Sequence, residues 1–330
     1  MKIIALEEHM VTSTLLDAWR QAPDEAEEQN AVFNGTGLMG ERLLDVDARR
    51  LQDMDDQGVD VQVLSVTQPG VQNLTPSLAV PLAKQVNDRI SAAVSRHPGR
   101  FEAFAALPTP DPRAAVEELR RAVQELGFMG AMVFGRTGSR NADHPDNEPI
   151  WAAASDLRVP IYLHPQRPQN SIRNGYYSGL GDPVDRALST AAVGWHFETG
   201  IQLIRMILAG VFDRHPGLQL VIGHWGELML FWEERFTSIQ RAGLLPSGPT
   251  VLDVFREHVS FTGSGDTSHR YLRWAKEVVG IDRILFATDY PFIDNSAGMA
   301  RSFLNEADLT TDERAAVAHA NWERLTAHLR

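Results

Sequence analysis

The chain has no cysteine. Disulfides and thiolate metal ligands are therefore excluded, and any bound metal must be held by His, Asp, Glu or water. No apolar run approaches the roughly 20 residues that a membrane helix needs. The first residues, MKIIALEEH, carry one Lys and a short apolar stretch that runs straight into acids. They lack the long apolar segment and small-residue site of a cleavable signal, so a cytoplasmic protein is expected. Positive charge is also in deficit: 31 Lys and Arg stand against 43 Asp and Glu, giving a net charge of −12, and no basic run is interleaved with aromatics. That argues against a nucleic-acid partner. It leaves room for a small anionic substrate, because the field inside a pocket can oppose the overall charge. No G-x-G-x-x-G follows an apolar run, so a dinucleotide-binding open sheet has no support. No low-complexity linker and no close repeat divides the 330 residues, and one domain over 1–330 is expected.

What the chain does have is an alternation of strand-like and helix-like segments. Strands are expected at 3–9, 59–67, 101–107, 128–134, 159–165, 218–224, 258–263 and 284–289. Most are continuous β-rich runs, the pattern of strands covered on both faces of a parallel sheet. Helices are expected at 45–57, 76–96, 112–126, 185–214 (one long helix or a broken pair), 227–242, 267–279 and 311–329. In this order they predict an α/β (β/α)₈ TIM barrel. Residues 10–44, with Asn34-Gly35-Thr36-Gly37, and 166–184, with Asn174-Gly175-Tyr176-Tyr177, exceed minimal barrel connections. They read as loop insertions at the C-terminal face, of the kind that forms a substrate lid or an oligomer contact.

Four of the strands end in acid or histidine. Glu7-Glu8-His9 follows IIAL, His164 follows VPIYL, His224-Trp225-Gly226-Glu227 follows LQLVIG, and Asp289-Tyr290-Pro291 follows ILFAT. In a barrel the C-terminal strand ends converge on one face. Alternation along a strand points Glu7 and His9 the same way, with Glu8 opposite. One such residue alone is usually structural; their coincidence at strand ends assigned from hydrophobicity predicts a metal site of nitrogen and oxygen donors. Such a set suits Zn²⁺, Mn²⁺ or Fe²⁺ better than Ca²⁺. Most of the other histidines need no function: His97 and His215, for example, precede Pro in helix-stop sequences. His196 and Glu198, in GWHFETG, read as packing or as support behind the site.

These motifs resemble the decarboxylase branch of the amidohydrolase superfamily, which includes γ-resorcylate, 2,3-dihydroxybenzoate, 5-carboxyvanillate and aminocarboxymuconate-semialdehyde decarboxylases. The resemblance lies in E-E-H, L-H-P, G-H-x-G-E and D-Y-P-F in that order, and extends to MDDQGVDVQVLS and GVFDRHPGLQLVIGHWGE. It implies a metal-dependent barrel with Glu7, His9, His164 and Asp289 as ligands and His224 at the reacting centre. It implies Arg235 as a substrate-holding residue, in some members from a neighbouring subunit, and Phe292 as an aromatic wall. Trp195 is a further candidate substrate contact. In resorcylate-type relatives an Asn closes strand four; here Phe134 stands there, which also removes a bridging ligand for a second ion.

The expected activity is non-oxidative decarboxylation of a small aromatic or unsaturated carboxylic acid, with one divalent metal orienting the carboxylate and Asp289 or His224 protonating the carbon. Zn²⁺ or Mn²⁺ is expected, then Fe²⁺. A second ion near His196, Glu198 and Glu227 is left open. The alternatives are metal-dependent hydrolysis of an ester, lactone or amide, dinuclear iron oxygenation, and a barrel that binds without catalysis. The resemblance implies a homodimer or homotetramer, for which Met229, Phe231, Trp232 and Phe236 offer apolar surface.

Overall fold

The structure, a computed structural model, describes residues 1–22, 35–293 and 296–330. Seven parallel strands follow one another in chain order within a single sheet. They are β1 (Ile4–Met10), β2 (Val61–Val66), β3 (Phe101–Ala106), β4 (Gly130–Phe134), β5 (Pro160–His164), β6 (Gln219–Ile222) and β7 (Val259–Phe261). Almost every strand residue is buried. Both faces of the sheet are covered, which is why the runs are continuously apolar instead of alternating.

The eighth expected strand, 284–289, forms no ladder. One bridge joins Ile284 to Phe261 of β7, and another joins Ala287 to Leu6 of β1. Leu285 N–H donates to the Phe261 carbonyl (2.8 Å) and Leu6 N–H to the Phe286 carbonyl (2.9 Å). Two local features keep the pairing this short: β7 has three residues, and β1 shifts register between Ala5 and Glu8. The fold is TIM-barrel-like, with seven laddered strands and a bridged eighth segment.

Inward side chains of the strands, among them Ile4, Val63, Phe104, Met132, Tyr162 and Val221, form one apolar cluster with Trp322. Trp322 closes it at the N-terminal end of the strands, where its Nε1–H donates to Glu102 Oε2 (2.7 Å) at the start of β3. A much larger apolar layer lies between strands and helices. Helices Ala48–Gln57, Pro76–Arg96, Pro112–Gln124 and His269–Val279 stand where the sequence predicts them. Capping explains the starts of the last two: Asp111 accepts from Ala114 N–H and Ser268 from Tyr271 N–H.

The expected helix at 185–214 is broken into Asp182–Ala187, a π-turn over Leu188–Ala192, Gly194–Leu208 and Val211–Arg214, with the kink at Thr190 (φ −118°, ψ −123°). The segment 227–242 is a 3₁₀ turn, Met229–Trp232, followed by the helix Glu233–Arg241. The two long insertions are not plain loops. The second carries helices Asn170–Tyr176 and Asp182–Ala187. The first carries Ser13–Arg20 and Gly37–Leu44, while Asn34 lies outside the described residues. Helices Glu148–Leu157, Val251–His258 and Met299–Glu306 lie outside the segments that the sequence predicts as helical. The first reads EPIWAAASDL, whose small apolar residues give no distinct helical stripe.

Candidate metal centre

At the C-terminal ends of the strands the backbone leaves the ordinary regions. Glu7, His224, Trp225, Glu227, Leu228, Ser264 and Asp289 all have φ between 44° and 67°; outside this region Arg158 alone does so among described non-glycine residues. Left-handed backbone at a residue with a side chain costs about 1–2 kcal/mol. Such cost gathers where side chains must be aimed, and functional sites are where it is tolerated. At Glu7 the strain coincides with the β1 bulge. Glu7 and His9 therefore reach one site through a bulge, and simple alternation is not what aligns them.

Glu7, His9, His164 and Asp289 offer one ligand atom each within 4.8 Å of one another, and all four are buried. His164 Nε2 lies 3.1 Å from Glu7 Oε1, and His9 Nε2 lies 3.4 Å from Asp289 Oδ1. Neither Glu7 Oε1 nor His9 Nε2 makes a hydrogen bond, although both atoms are inaccessible to water. A buried polar atom without a partner costs about 1–3 kcal/mol. Two such atoms facing each other's neighbours are what a cation would satisfy. The far sides of the same groups are anchored: Ser65 Oγ lies 3.2 Å from His9 Nδ1, and His164 Nδ1 faces the Pro165 carbonyl at 2.8 Å. Tyr162 and Ser264 both donate hydroxyls to Glu7 Oε2. This outer anchoring orients the ligand atoms inward.

The electrostatics agree. Burial pushes the His9 imidazole down to about 4, against the pull of Glu7, so its Nε2 lone pair is free at neutral pH. Burial would lift the Glu7 carboxyl, but His224, His164 and His9 outweigh it and hold it low. Burial, then the Glu7 charge, pushes the Asp289 carboxyl well above its ordinary value. Two carboxylates crowd one buried volume, and a divalent cation would relieve both. The residues present thus fit a metal of borderline softness with two nitrogen and two oxygen donors.

Glu8 points away from this cluster. It accepts from Thr288 N–H (2.9 Å), Thr288 Oγ1 (2.6 Å) and Gln62 Nε2 (2.8 Å). Gln62 in turn accepts from the buried guanidinium of Arg50, which also donates to the His9 carbonyl and lies 4.5 Å from the Tyr290 ring centroid. This polar layer holds the back of β1.

His224 stands beside the four, its ring centroid 6.5 Å from that of His164. It lies in the left-handed turn after β6, two residues beyond the strand end. Its Nδ1 is 2.7 Å from Glu227 Oε1, and Glu227 Oε2 is 2.7 Å from His196 Nδ1. Burial works against a charged His224, but Glu227 and Glu7 overcome it and push its pKa up to about 10.

Phe292 packs on His9 at 5.6 Å between centroids, and Phe134 on His164 at 5.4 Å. Glu198 does not join His196 and Glu227. It forms an ion pair with Arg136 (2.8 Å), which removes it from any second-ion set. Trp195 is half-buried, and its Nε1 is buried without a partner. Arg235 is exposed on the helix Glu233–Arg241 and makes no hydrogen bond or ion pair among the described residues. A cavity of about 730 Å³ at this end of the barrel is lined by Gln72, Arg136, Arg140, Gln166, Arg167 and Arg173, among others, with no acid in its lining.

Sequence reasoning missed Tyr162, Ser264 and the Arg50 layer. Tyr162 alone left a signal, since it sits two residues before His164 on β5 and so shares its face.

The sequence matches the amidohydrolase family over residues 17–325. The chain belongs to that family. Within it, the γ-resorcylate decarboxylase of Rhizobium sp. (strain MTP-10005) is 33% identical over 98% of this chain and 97% of its own length. The 5-carboxyvanillate decarboxylase of Sphingomonas paucimobilis superposes with a TM-score of 0.89 at 30% identity, covering 99% of both chains. A dihydroxybenzoic acid decarboxylase from Polaromonas sp. JS666, solved with manganese and the inhibitor 2-nitroresorcinol, superposes with a TM-score of 0.84 at 31% identity, covering 100% of this chain and 98% of that one. The resemblance read from the motifs is thus to the right branch of the amidohydrolases.

Proposed function

We propose that this amidohydrolase is a metal-dependent, non-oxidative decarboxylase of a small aromatic carboxylate with an oxygen substituent next to the carboxyl group. Glu7, His9, His164 and Asp289 would hold one divalent ion, Mn²⁺ or Zn²⁺. The observation that carries this reading is the pair of buried, unbonded ligand atoms, Glu7 Oε1 and His9 Nε2, beside an imidazole anchored on Glu227. The manganese in a similar decarboxylase supports the ion.

When bound, such an ion supplies a Lewis acid for the carboxylate and its neighbouring oxygen and stabilises negative charge there. The remaining work belongs to the chain. The bond between ring carbon and carboxyl carbon breaks, its electron pair stays on the ring, CO₂ leaves, and one proton takes its place. No oxidant or reductant is consumed. His224 is the proton donor: Nδ1 is fixed on Glu227, Nε2 makes no hydrogen bond among the described residues, and the ring is held protonated through neutral pH. Asp289, once a ligand, is not free to donate. Phe134 and Phe292 present ring faces and edges to His164 and His9 and keep water from the reacting carbon. The arginine-lined cavity draws anions toward this end of a chain whose net charge is −12.

Arg235 stands beside Phe231 and Trp232, which are 69% and 43% exposed. This supports a homodimer or homotetramer in which a second copy covers this helix and Arg235 serves the neighbouring site. Incubating metal-loaded protein with 2,6-dihydroxybenzoate, 2,3-dihydroxybenzoate and 5-carboxyvanillate, and following CO₂ release, tests the activity. Release that is lost in His224→Asn is expected. No release from any hydroxylated benzoate ends the reading.

A further inference from the structure

We propose that His196, His224 and Glu227 form a second cation site, suited to Zn²⁺, whose occupation switches the enzyme off. Binding at this site is independent of the decarboxylase reading; the loss of activity rests on it.

The geometry asks for a cation. The Ala191 carbonyl can only accept, and it lies 2.9 Å from His196 Nε2, so that nitrogen carries a proton. In a neutral imidazole Nδ1 is then a bare lone pair, and it faces Glu227 Oε2 at 2.7 Å. Two lone pairs do not meet at that distance without a positive centre between them. A proton bridging the two groups is one such centre, and a metal ion is another. A histidine whose far nitrogen donates to a backbone carbonyl is the usual support of a metal-bound imidazole.

His224 completes the set. Its Nδ1 lies 2.7 Å from the other oxygen of Glu227, and the two histidine rings are 4.8 Å apart between centroids. The three ligand atoms lie within 4.8 Å of one another. Donors at about 2.1 Å from a shared tetrahedral Zn²⁺ stand about 3.4 Å apart, so each 2.7 Å contact must open by about 0.7 Å. The side chains of His196 and His224 are 17% and 20% exposed, which gives an ion a route in, while Glu227 is fully buried. Two imidazoles and one carboxylate favour Zn²⁺ over Mn²⁺, which prefers oxygen donors.

The backbone builds this arrangement. The kink at Thr190 turns the Ala191 carbonyl back onto the first turn of the helix Gly194–Leu208. That helix packs so closely on the turn after β6 that a Cβ on Gly200 would lie 2.7 Å from the Glu227 carbonyl oxygen. Filling the site displaces to solvent the protons that bridge Glu227 to the two imidazoles. His224 then keeps its Nε2 proton as part of a neutral, metal-bound imidazole, a far weaker acid than the imidazolium that protonates the ring carbon.

The test counts ions and reads inhibition separately. Wild-type protein, His196→Asn, His196→Gln and His164→Ala are dialysed against Zn²⁺ and analysed for zinc per chain. Two ions in wild type and one in each variant are expected. In the Mn²⁺-loaded enzyme, the Zn²⁺ concentration that halves activity should rise at least tenfold in His196→Asn. One ion in wild type, two in both His196 variants, or unchanged zinc sensitivity in His196→Asn would overturn the proposal; the last would mean that Zn²⁺ acts by replacing Mn²⁺. Two ions in wild type and one in the His196 variants, in a protein that decarboxylates nothing, would leave this site standing while the functional reading falls.

Discussion

Tyr162 on β5 donates its hydroxyl to the Oε2 of Glu7 on β1, 155 residues earlier in the chain, and this leaves Oε1 turned toward His164. The tyrosine never touches the proposed ion, yet it decides which oxygen is presented. Removing such an outer partner typically weakens metal affinity about 10–100-fold. Ser264 shares the same oxygen, so Tyr162→Phe should fall near the lower end, with the fold intact. Calorimetric titration with Mn²⁺ measures this; unchanged affinity would show that Ser264 and the strained backbone aim Glu7 without the tyrosine.

The pairing of Glu227 with His224 sets a pH dependence. Burial disfavours the charged His224, but Glu227 and Glu7 together raise its pKa from 6.5 to about 10. A raised folded value means that this group's contribution to stability is fully present below 6.5 and is lost as pH climbs toward 10. A protonated donor gives activity the same direction: the rate falls on the alkaline side. A divalent ion engaged by Glu7 weakens the second cause, so the alkaline limb of the metal-loaded enzyme lies below 10. Glu227→Gln removes the larger favourable cause and should move that limb down further, with loss of rate at neutral pH. A pH–rate profile of both proteins reads this directly, and an unmoved limb would assign the proton to another group.

Phe134 bears on substrate choice. It closes β4, packs edge-on to His164 and is held by Gln72, which binds its backbone N–H and carbonyl. The motif resemblance implies Asn at this place in resorcylate-type enzymes. Phe134 offers no hydrogen bond to a second ring hydroxyl. Phe134→Asn should therefore raise kcat/KM for 2,6-dihydroxybenzoate relative to substrates with a single ortho oxygen, by about 5–10-fold if one hydrogen bond of about 1 kcal/mol is restored. An unchanged ratio would place the second hydroxyl elsewhere.

How far the sequence reveals all this depends on the kind of signal. Strand ends were legible because burial on both faces leaves long apolar runs, and a His or Asp at the end of such a run stands out. Glu227 was visible in H-W-G-E for the same reason. The β1 bulge at Glu7 was not, since a left-handed φ leaves no mark on a residue other than glycine. Ser264 and Thr288 were hidden because a hydroxyl in or after a strand is ordinary. Glu198 misled, being an acid near a histidine in sequence that in space belongs to Arg136. The run 284–289 is buried and apolar, as the sequence shows, yet it forms no strand: hydropathy does not show that a three-residue β7 and a bulged β1 limit its pairing to single bridges.

Trp322 tests whether the two ends of the barrel are separable. It is 1% exposed, packs on Phe104 at 5.6 Å between centroids, and donates to Glu102 at the opposite end of the strands from Glu7, His9, His164 and Asp289. Trp322→Ala removes a large buried side chain and one hydrogen bond to the Glu102 carboxylate, which keeps its ion pair with Arg330. Such truncations cost about 3–5 kcal/mol. Neither Trp322 nor Glu102 contacts Glu7, His9, His164 or Asp289, so the loss should be confined to stability. Denaturant unfolding should show a lowered midpoint at unchanged slope, while Mn²⁺ affinity of the folded fraction stays within about twofold, the additivity expected of distant sites. A parallel drop in affinity would mean that the barrel floor tensions β1, because Phe104 packs on Tyr162, 5.9 Å apart between centroids, and Tyr162 holds Glu7.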